Sequence, residues 1–297
     1  MADIRHHNQT LTDQGVAAEM NASVTKTPDA KQSHAFERAH AARLFFALVR
    51  REVEGRYRGS ALGLAWSMIT PLMMLGIYTF VFGVVFRSRW VTSESDASPA
   101  EFAVILFIGL ILFQFLSETM NRAPGLMVAN VSYVKKVVFP LYILVPVTLG
   151  SALVHAGISL LILLPFLFVI FGGIPWTAVF LPLSVLPLCL IALGVGWLLA
   201  SLGTYARDIG QVVTSLTTAM LFLAPIFFPI SALPVWLQPW LKFNPLTVPV
   251  NEARNALVFG ALPDFGGLAV YTGVSIAICA LGYFWFKKTQ KGFADVL

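Results

Sequence analysis

The sequence predicts an all-α integral membrane protein, and its composition and charge distribution lead to this fold class. Hydrophobic residues make up 57% of the 297 positions and charged residues only 12%, whereas soluble domains carry about 25% charged residues. Five stretches contain no Asp, Glu, Lys or Arg: 61–86, 102–117, 137–206, 209–241 and 265–286. A charge at the bilayer centre costs roughly 2.5–3.5 kcal/mol, and a helix needs about 20 apolar residues to span. These stretches are therefore predicted membrane spans.

The N-terminal region is predicted to lie outside the membrane. Residues 1–35 are polar and lack the apolar core of a signal peptide, so we expect a disordered cytosolic tail. Residues 36–60 are predicted to form an amphipathic helix in the membrane plane, because apolar residues recur at helical spacing opposite basic ones. This helix is either a simple surface anchor or the frame of an entrance for an anionic lipid. The residues predicted to meet lipid head groups are Arg50, Arg51, Arg56, Tyr57 and Arg58.

Residues 61–297 are predicted to form a domain of six transmembrane helices. The uncharged run 137–206 must hold two spans, separated at Gly172-Gly173-Ile174-Pro175, where the glycines and the proline favour a turn. The six predicted spans are 62–86, 102–122, 141–171, 178–203, 209–229 and 266–286.

The basic residues indicate the orientation of these spans, since cytosolic loops carry an excess of Lys and Arg. One set of flanks carries thirteen: Arg38, Arg43, Arg50, Arg51, Arg56, Arg58, Arg122, Lys135, Lys136, Arg207, Lys287, Lys288 and Lys291. The opposite flanks carry four: Arg87, Arg89, Lys242 and Arg254. Both termini are therefore predicted to face the cytosol. The net charge of +5 follows membrane topology and does not indicate nucleic-acid binding.

Two cytosolic loops are candidates for contact with a partner protein. In the first, residues 130–140, apolar residues surround two lysines, which is compatible with a short helix that docks into a groove; the lysines alone could simply signal topology. The second is the charged turn 205–209, which is either a solvated loop or a second contact with the same partner. The residues predicted to contact the partner are Tyr133, Lys135, Lys136, Val137, Phe139, Pro140, Arg207 and Asp208.

Residues 225–264 are unusual for a loop, because they contain seven prolines yet remain largely apolar. Proline interrupts regular helix, and apolar side chains resist exposure. We therefore expect two short re-entrant or interfacial helices on the outer side, at 231–241 and 246–260. They would either close the outer mouth of a pathway or form an interfacial aromatic belt. The residues predicted at this outer gate are Trp236, Trp240, Asn251, Glu252 and Arg254.

The chain lacks the sequence patterns of common catalytic sites. There is no G-x-x-x-x-G-K-[ST] phosphate loop, no H-E-x-x-H, no G-x-S-x-G and no cluster with metal-ligand spacing. Cys189 and Cys279 are expected to pack within the spans. The single intramembrane histidine, His155, is expected to form a hydrogen bond with a neighbouring helix; the alternative is a proton relay. No catalytic residue and no metal site is predicted. Because no span carries a central charge, active transport would need energy from a partner on the cytosolic loops.

Several short segments resemble ABC transporter permeases for polysaccharide export. They are 56–66 followed by Pro71, Lys135-Lys136-Val137 with Phe139-Pro140, Arg207-Asp208-Ile209, 224–229 and 293–297. The resemblance covers about residues 36–297. It implies a homodimer in the bacterial inner membrane with two copies of a separate subunit that binds ATP and Mg. It also implies a polyprenyl-pyrophosphate-linked polysaccharide as cargo, coupling through 135–140, and gate helices within 225–264.

Further residues are candidates for a path through such a dimer. Trp66, Tyr78 and Phe82 could offer flat faces to sugar rings, or could simply pack or face lipid. Small residues with four-residue spacing at 192, 196 and 200 could bring two subunits together, or could pack helices within one subunit. The alternative functions are an ABC permease for a drug or a lipid, and a polyprenyl-linked membrane transferase. The latter would need paired carboxylates, for which Glu118 and Asp208 are the candidates.

Overall fold

The computed structural model describes residues 30–81, 98–135, 139–228, 230, 234–236, 238–241 and 243–297. All regular secondary structure in these residues is helical, as the sequence predicts. The chain divides into two compact units, residues 1–47 and residues 48–297. The packing described below lies within the second unit. In the first unit, the described residues form the N-terminal part of a helix.

The first three helices differ from the predicted ranges mainly at their ends. Helix α1 (Ala30–Tyr57) includes most of the range predicted for the amphipathic helix, 36–60. Helix α2 (Trp66–Tyr78) begins later than predicted, because Gly63 adopts a positive φ of 49° inside a short 3-10 turn. Helix α3 (Pro99–Arg122) begins at Pro99, where the Ser98 hydroxyl accepts a hydrogen bond from the Glu101 N–H at 3.2 Å.

The middle of the chain follows the predicted order of helices. After α3 come α4 (Leu126–Ala129), α5 (Val131–Val134), α6 (Leu144–Phe171), α7 (Leu181–Tyr205) and α8 (Ile209–Leu223). Helix α6 ends where the glycine pair predicts, because Gly172 adopts a left-handed φ of 73° that favours glycine. Helix α8 ends at Leu223 rather than at 229, since the backbone is extended at Ala224, which precedes a proline.

The last part of the chain contains the two short helices expected between spans five and six. They are α9 (Gln238–Leu241) and α10 (Thr247–Arg254), and α10 continues as a π-helix over Asn255–Phe259. Helix α11 (Phe265–Thr289) is capped by the Asp264 carboxylate, which accepts from the Gly267 N–H at 3.1 Å. Helix α12 (Phe293–Val296) follows it.

Four helical stretches in the described part of the chain are long and apolar enough to cross a membrane: Ala100–Arg122, Leu141–Phe171, Trp176–Tyr205 and Phe265–Val296. The predicted first and fifth spans correspond to shorter apolar helices, Trp66–Val81 and Ile209–Leu223. The protein is therefore a multi-pass membrane protein.

Helix α3 lies at the centre of the main hydrophobic core, and α7 packs most closely against α11. The α7–α11 contact depends on glycine, since a Cβ atom added to Gly282 would collide with the backbone of Gly194. The small residues Ala192, Gly196 and Ala200 are buried within this chain. The structure thus supports their packing within one subunit.

Candidate functional site

One end of the bundle gathers basic residues and is called here the basic end. It contains the C-terminal ends of α3, α7 and α11, which carry Arg122, Arg207 just beyond Tyr205, and Lys287. Helix α7 lies close to the chain just after α3, because a Cβ atom added to Gly203 would collide with the backbone of Pro124. Helix α7 is also joined to α11 by the Tyr205 hydroxyl, which donates to the Thr289 carbonyl at 2.9 Å.

An ion-pair network at the basic end joins α1 to α3. Glu118 of α3 pairs with Arg56 of α1 through both carboxylate oxygens. Arg122 lies 3.4 Å from Glu118 and 2.5 Å from Glu52 of α1. The Glu118 side chain is only 6% exposed, so removing either arginine would leave a buried charge without full compensation.

Burial raises the pKa of Glu52, and the positive charge of Arg122 opposes that rise. Loss of contact with water is thus the largest influence on the pKa of this carboxyl. Partly buried ion pairs of this kind contribute little net stability but are costly to break on one side only. The network therefore fixes the position of the last turns of α1, around Glu52 and Arg56, more than it stabilises the fold.

A second link at the basic end connects α1 to the predicted docking segment, residues 130–140. Arg51 donates a hydrogen bond to the Tyr133 hydroxyl at 2.8 Å, and its guanidinium carbon lies 5.7 Å from the centre of the Tyr133 ring. The Tyr133 ring stacks on Phe139, with centroids 4.4 Å apart and an angle of 13° between the planes. Arg51 therefore contacts the docking segment directly.

Some of these charged residues line an open, shallow groove, called here the arginine groove. Its volume is about 480 Å³, and its lining residues are Arg51, Glu52, Gly55, Arg56 and Arg122. Pockets of about 300–1,000 Å³ are typical of ligand sites. Three of the lining side chains are guanidiniums, which suit phosphate oxygens.

The other arginines predicted to meet lipid head groups lie outside this groove. Arg50 is exposed and pairs with Glu54 one turn along α1 at 2.7 Å. Arg58 is exposed beyond the helix end, and the side chain of Tyr57 is outside the described residues. The structure thus brings together two of the five predicted residues, Arg51 and Arg56, and adds Arg122 from α3.

The docking segment rests on a small hydrophobic cluster at the basic end. Val134, Phe286 and Phe293 are buried in this cluster, and Tyr133, Phe139 and Leu297 pack against it. Lys135 is exposed, Pro140 is half-buried, and Lys136 and Val137 lie outside the described residues. The second predicted contact, Arg207 and Asp208, is exposed in the turn between α7 and α8. Both loops thus expose charged side chains. The first is held by the hydrophobic cluster, and the second by the helices α7 and α8 on either side of it.

The opposite end of the bundle is organised by Arg254, whose side chain is buried at 1% exposure. Its guanidinium donates to the carbonyl oxygens of Ile105 at 3.0 Å, Pro225 at 2.5 Å and Ile226 at 2.9 Å. Pro225 and Ile226 follow the end of α8, so no continuing helix supplies N–H donors to their carbonyls. Arg254 therefore fastens α10 to α3 and to the break after α8.

The remaining predicted gate residues have different environments. Trp236 and Trp240 are 71% and 68% exposed, which suits an interfacial position. Asn251 and Glu252 are half-buried on α10. The sequence predicts Arg254 in this gate only as a polar group, because its three carbonyl partners lie 28 or more positions away in the chain.

A polar stripe on α8 was also missed by sequence reasoning. It consists of Gln211, Thr214, Ser215 and Thr218, which are all exposed. Their spacing of i, i+3, i+4 and i+7 places them on one helix face, while Val213 and Thr217 face the bundle. The three hydroxyls donate to carbonyls one turn earlier, which lowers the cost of holding them in an apolar medium. Helical periodicity could have revealed this stripe.

The predicted path residues on the first span are only partly described. Trp66 is exposed, Tyr78 is half-buried, and Phe82 lies outside the described residues. Within the described ranges, no three His, Cys, Asp or Glu residues are grouped to hold a metal ion. Glu118, the carboxylate considered for a transferase, is engaged by Arg56 and Arg122.

The family profile of the ABC-2 type transporter matches residues 43–258. The chain belongs to this family. The match runs from α1 to the end of α10 and its π-helical continuation, so it includes the arginine groove, the docking segment and the Arg254 contacts.

Relatives of this ABC-2 family member align along most of its length. It is similar to the O-antigen export system permease protein RfbA of Myxococcus xanthus, with 26% identity over 255 residues, 85% of this chain and 94% of the relative. It is 24% identical to an RfbA of Klebsiella pneumoniae over 260 residues, 86% of this chain and 95% of the relative. It is also 26% identical to the polysialic acid transport protein KpsM of Escherichia coli over 245 residues, 78% of this chain and 89% of the relative.

Proposed function

We propose that this chain is the transmembrane subunit of an ATP-driven exporter that moves a lipid-linked polysaccharide, of O-antigen type, across the bacterial inner membrane. The observation that carries the proposal is the alignment with O-antigen export permeases over 85% of this chain and 94% of the relative. The apolar helices provide the membrane-spanning part.

The proposed topology has six spans with both termini in the cytosol. The basic end faces the cytosol, because positive residues accumulate on that side of membrane proteins. Helices α2 and α8 contribute to the remaining two of the six spans. Helix α8, with 15 residues, is shorter than the hydrocarbon core requires, and local thinning of the bilayer accommodates such a helix. The pair α9 and α10 lies at the outer side and closes the path.

The proposed transporter is a homodimer in which the glycan passes between subunits. A hydrophilic polymer needs a polar surface across the membrane, and the stripe of Gln211, Thr214, Ser215 and Thr218 supplies about 10 Å of it, in the part of α8 nearest the basic end. On a helix that faced only lipid, these polar side chains would cost free energy with no compensating contact. We therefore assign the polar face of α8, together with Trp66 and Tyr78 of α2, to the wall of the path.

The proposed source of energy is a separate ATP-binding subunit, present in two copies, which holds ATP and Mg. The docking segment and the turn at Arg207 and Asp208 are its proposed contacts on this chain. The lipid carrier is polyprenyl pyrophosphate, and its charged end is proposed to approach the membrane surface near α1. Movement of the partner is transmitted through the docking segment to the bundle.

The docking assignment is tested by reversing charge in the first loop. We expect the double variant Lys135→Glu and Lys136→Glu to reduce copurification of the ATP-binding subunit at least about tenfold, since like-charge contacts at an interface cost several kcal/mol. Surface export of glycan should fall in parallel.

The matched control is Lys288→Glu with Lys291→Glu. These two lysines are exposed near the basic end of α11, so the variant makes the same change of charge at the same end of the bundle but outside residues 130–140 and 205–209. Retained copurification and export in the 135/136 variant, or an equal loss in the control, would contradict the assignment.

A further inference from the structure

A lysine at the basic end of α11 lies among aromatic side chains. The Nζ atom of Lys287 is 4.3 Å from the centre of the Tyr142 ring and 5.7 Å from the centre of the Tyr283 ring. Such distances are typical of cation–π attraction, in which the negative face of a ring attracts a cation. Among the described residues, no carboxylate pairs with Lys287, so the two rings are its main electrostatic partners.

Trp197 of α7 joins these two tyrosines, and the three rings of Tyr142, Trp197 and Tyr283 are called here the aromatic box. The Trp197 indole N–H donates a hydrogen bond to the Tyr142 carbonyl oxygen at 3.0 Å. Edge-to-face contacts join Tyr283 to Trp197 and to Tyr142, with ring centroids 5.2 Å and 6.2 Å apart. Ring pairs of this kind stabilise a contact beyond the burial of their surface. Lys287 and the aromatic box therefore link α7, α11 and the chain just before α6 at one point.

The position of Tyr142 in the chain connects the aromatic box to the docking segment. Tyr142 lies in the 3-10 turn Leu141–Ile143, which follows the docking segment directly and leads into α6. Without the box, movement of the docking segment would pass to α6 along the chain. The box also attaches this turn to α7 and α11, which pack so closely that a Cβ atom on Gly282 would collide with the backbone of Gly194. Movement of the docking segment should therefore shift α7 and α11 together.

We propose that Lys287 and the aromatic box transmit movement of the docking segment to the pair of helices α7 and α11. The inference rests on the proposed function and adds to it the residues that connect the docking segment to these helices. Lys287 and Tyr142 are positioning residues in this scheme, since neither needs to touch the cargo or the partner subunit. Their loss should uncouple ATP hydrolysis from transport without preventing assembly of the complex.

The test uses the full complex with its ATP-binding subunit in proteoliposomes. The probe is lipid-linked glycan extracted from a strain that lacks the exporter, and its transport is measured together with ATP hydrolysis. The readout is the coupling ratio, the amount of glycan moved for each ATP hydrolysed, which does not depend on the amount of folded complex. We expect Lys287→Met to lower the coupling ratio by about fivefold or more, the lower range of measured coupling between sites, while the ATP-binding subunit still copurifies.

Conservative substitutions separate the cation–π contact from other effects of the same residues. Lys287→Arg keeps a cation that can lie over the rings, and Tyr142→Phe keeps the ring, so both should retain a coupling ratio close to that of wild type. Tyr142→Leu removes the ring and should lower the coupling ratio as Lys287→Met does. Lys288→Met changes the exposed neighbour of Lys287, so it controls for loss of positive charge and should leave the coupling ratio unchanged.

A wild-type coupling ratio in Lys287→Met or in Tyr142→Leu would overturn the inference and leave the proposed function intact. Equal losses in Lys287→Met and Lys288→Met would also overturn it, because surface charge alone would then explain the effect. So would loss of copurification in Lys287→Met, which would place the lysine in the contact with the partner. Absence of glycan transport by the wild-type complex would instead remove the proposed function itself.

Discussion

Replacement of Arg254 by methionine is expected to remove most of the folded protein from the membrane. The guanidinium donates to three carbonyl oxygens, those of Ile105, Pro225 and Ile226. Each buried acceptor left without a donor costs about 1–3 kcal/mol, and folded proteins have a total stability of only about 5–15 kcal/mol. The readout is the amount of full-length protein in purified membranes and its midpoint of thermal unfolding in detergent.

Two further variants make this result interpretable. Arg254→Lys keeps the charge but replaces the planar group that reaches three acceptors, so we expect intermediate stability. Lys291→Met removes an exposed positive charge and should leave the midpoint of unfolding near that of wild type. If Arg254→Met were as abundant and as stable as Lys291→Met, the guanidinium would not fasten the opposite end of the bundle.

The second large effect concerns the contact between α7 and α11. A methyl group at Gly282 would collide with the carbonyl group of Gly194, and a backbone atom cannot move aside as a flexible side chain can. Overpacking of this kind costs about 1–3 kcal/mol or more. Gly282→Ala is therefore expected to separate the two helices and to lower the midpoint of thermal unfolding.

Gly273→Ala is the matched control because Gly273 lies on the same helix with open space where its Cβ would be. Alanine is favoured over glycine within helices by about 1 kcal/mol. The same substitution should thus raise the unfolding midpoint of the protein at position 273 and lower it at position 282. Equal shifts of the unfolding midpoint at the two positions would show that the close α7–α11 contact does not limit the fold.

Local sequence features predicted the helical elements well. The glycine pair at Gly172 correctly predicted the end of α6, and the prolines of residues 225–264 predicted the short helices found there, α9 and α10. Helix ends were less accurate where backbone details decide them, as at Gly63 and Ala224. The length of a stretch without charged residues indicates a membrane span, but it does not determine the residue at which the helix begins.

Contacts between distant parts of the chain could not be predicted from local patterns. Arg56 and Glu118 are 62 positions apart, and Arg254 and Ile105 are 149 apart. Nothing in the local sequence distinguishes an arginine that binds lipid phosphate from one that binds a carboxylate or a row of carbonyls. The polar stripe on α8 is different, because its residues recur in the sequence at the helical spacing i, i+3, i+4 and i+7. Helical periodicity therefore predicts that they share one face.

In the proposed function, this chain conducts a lipid-linked glycan only when a separate ATPase drives it. The direct measurement is the appearance of lipid-linked O-antigen, detected by a membrane-impermeant lectin, on the far side of proteoliposomes. We expect transport with the ATP-binding subunit and ATP, and none with this chain alone or with a partner that cannot hydrolyse ATP. Accumulation of glycan at the same rate without a hydrolysing partner would contradict the account.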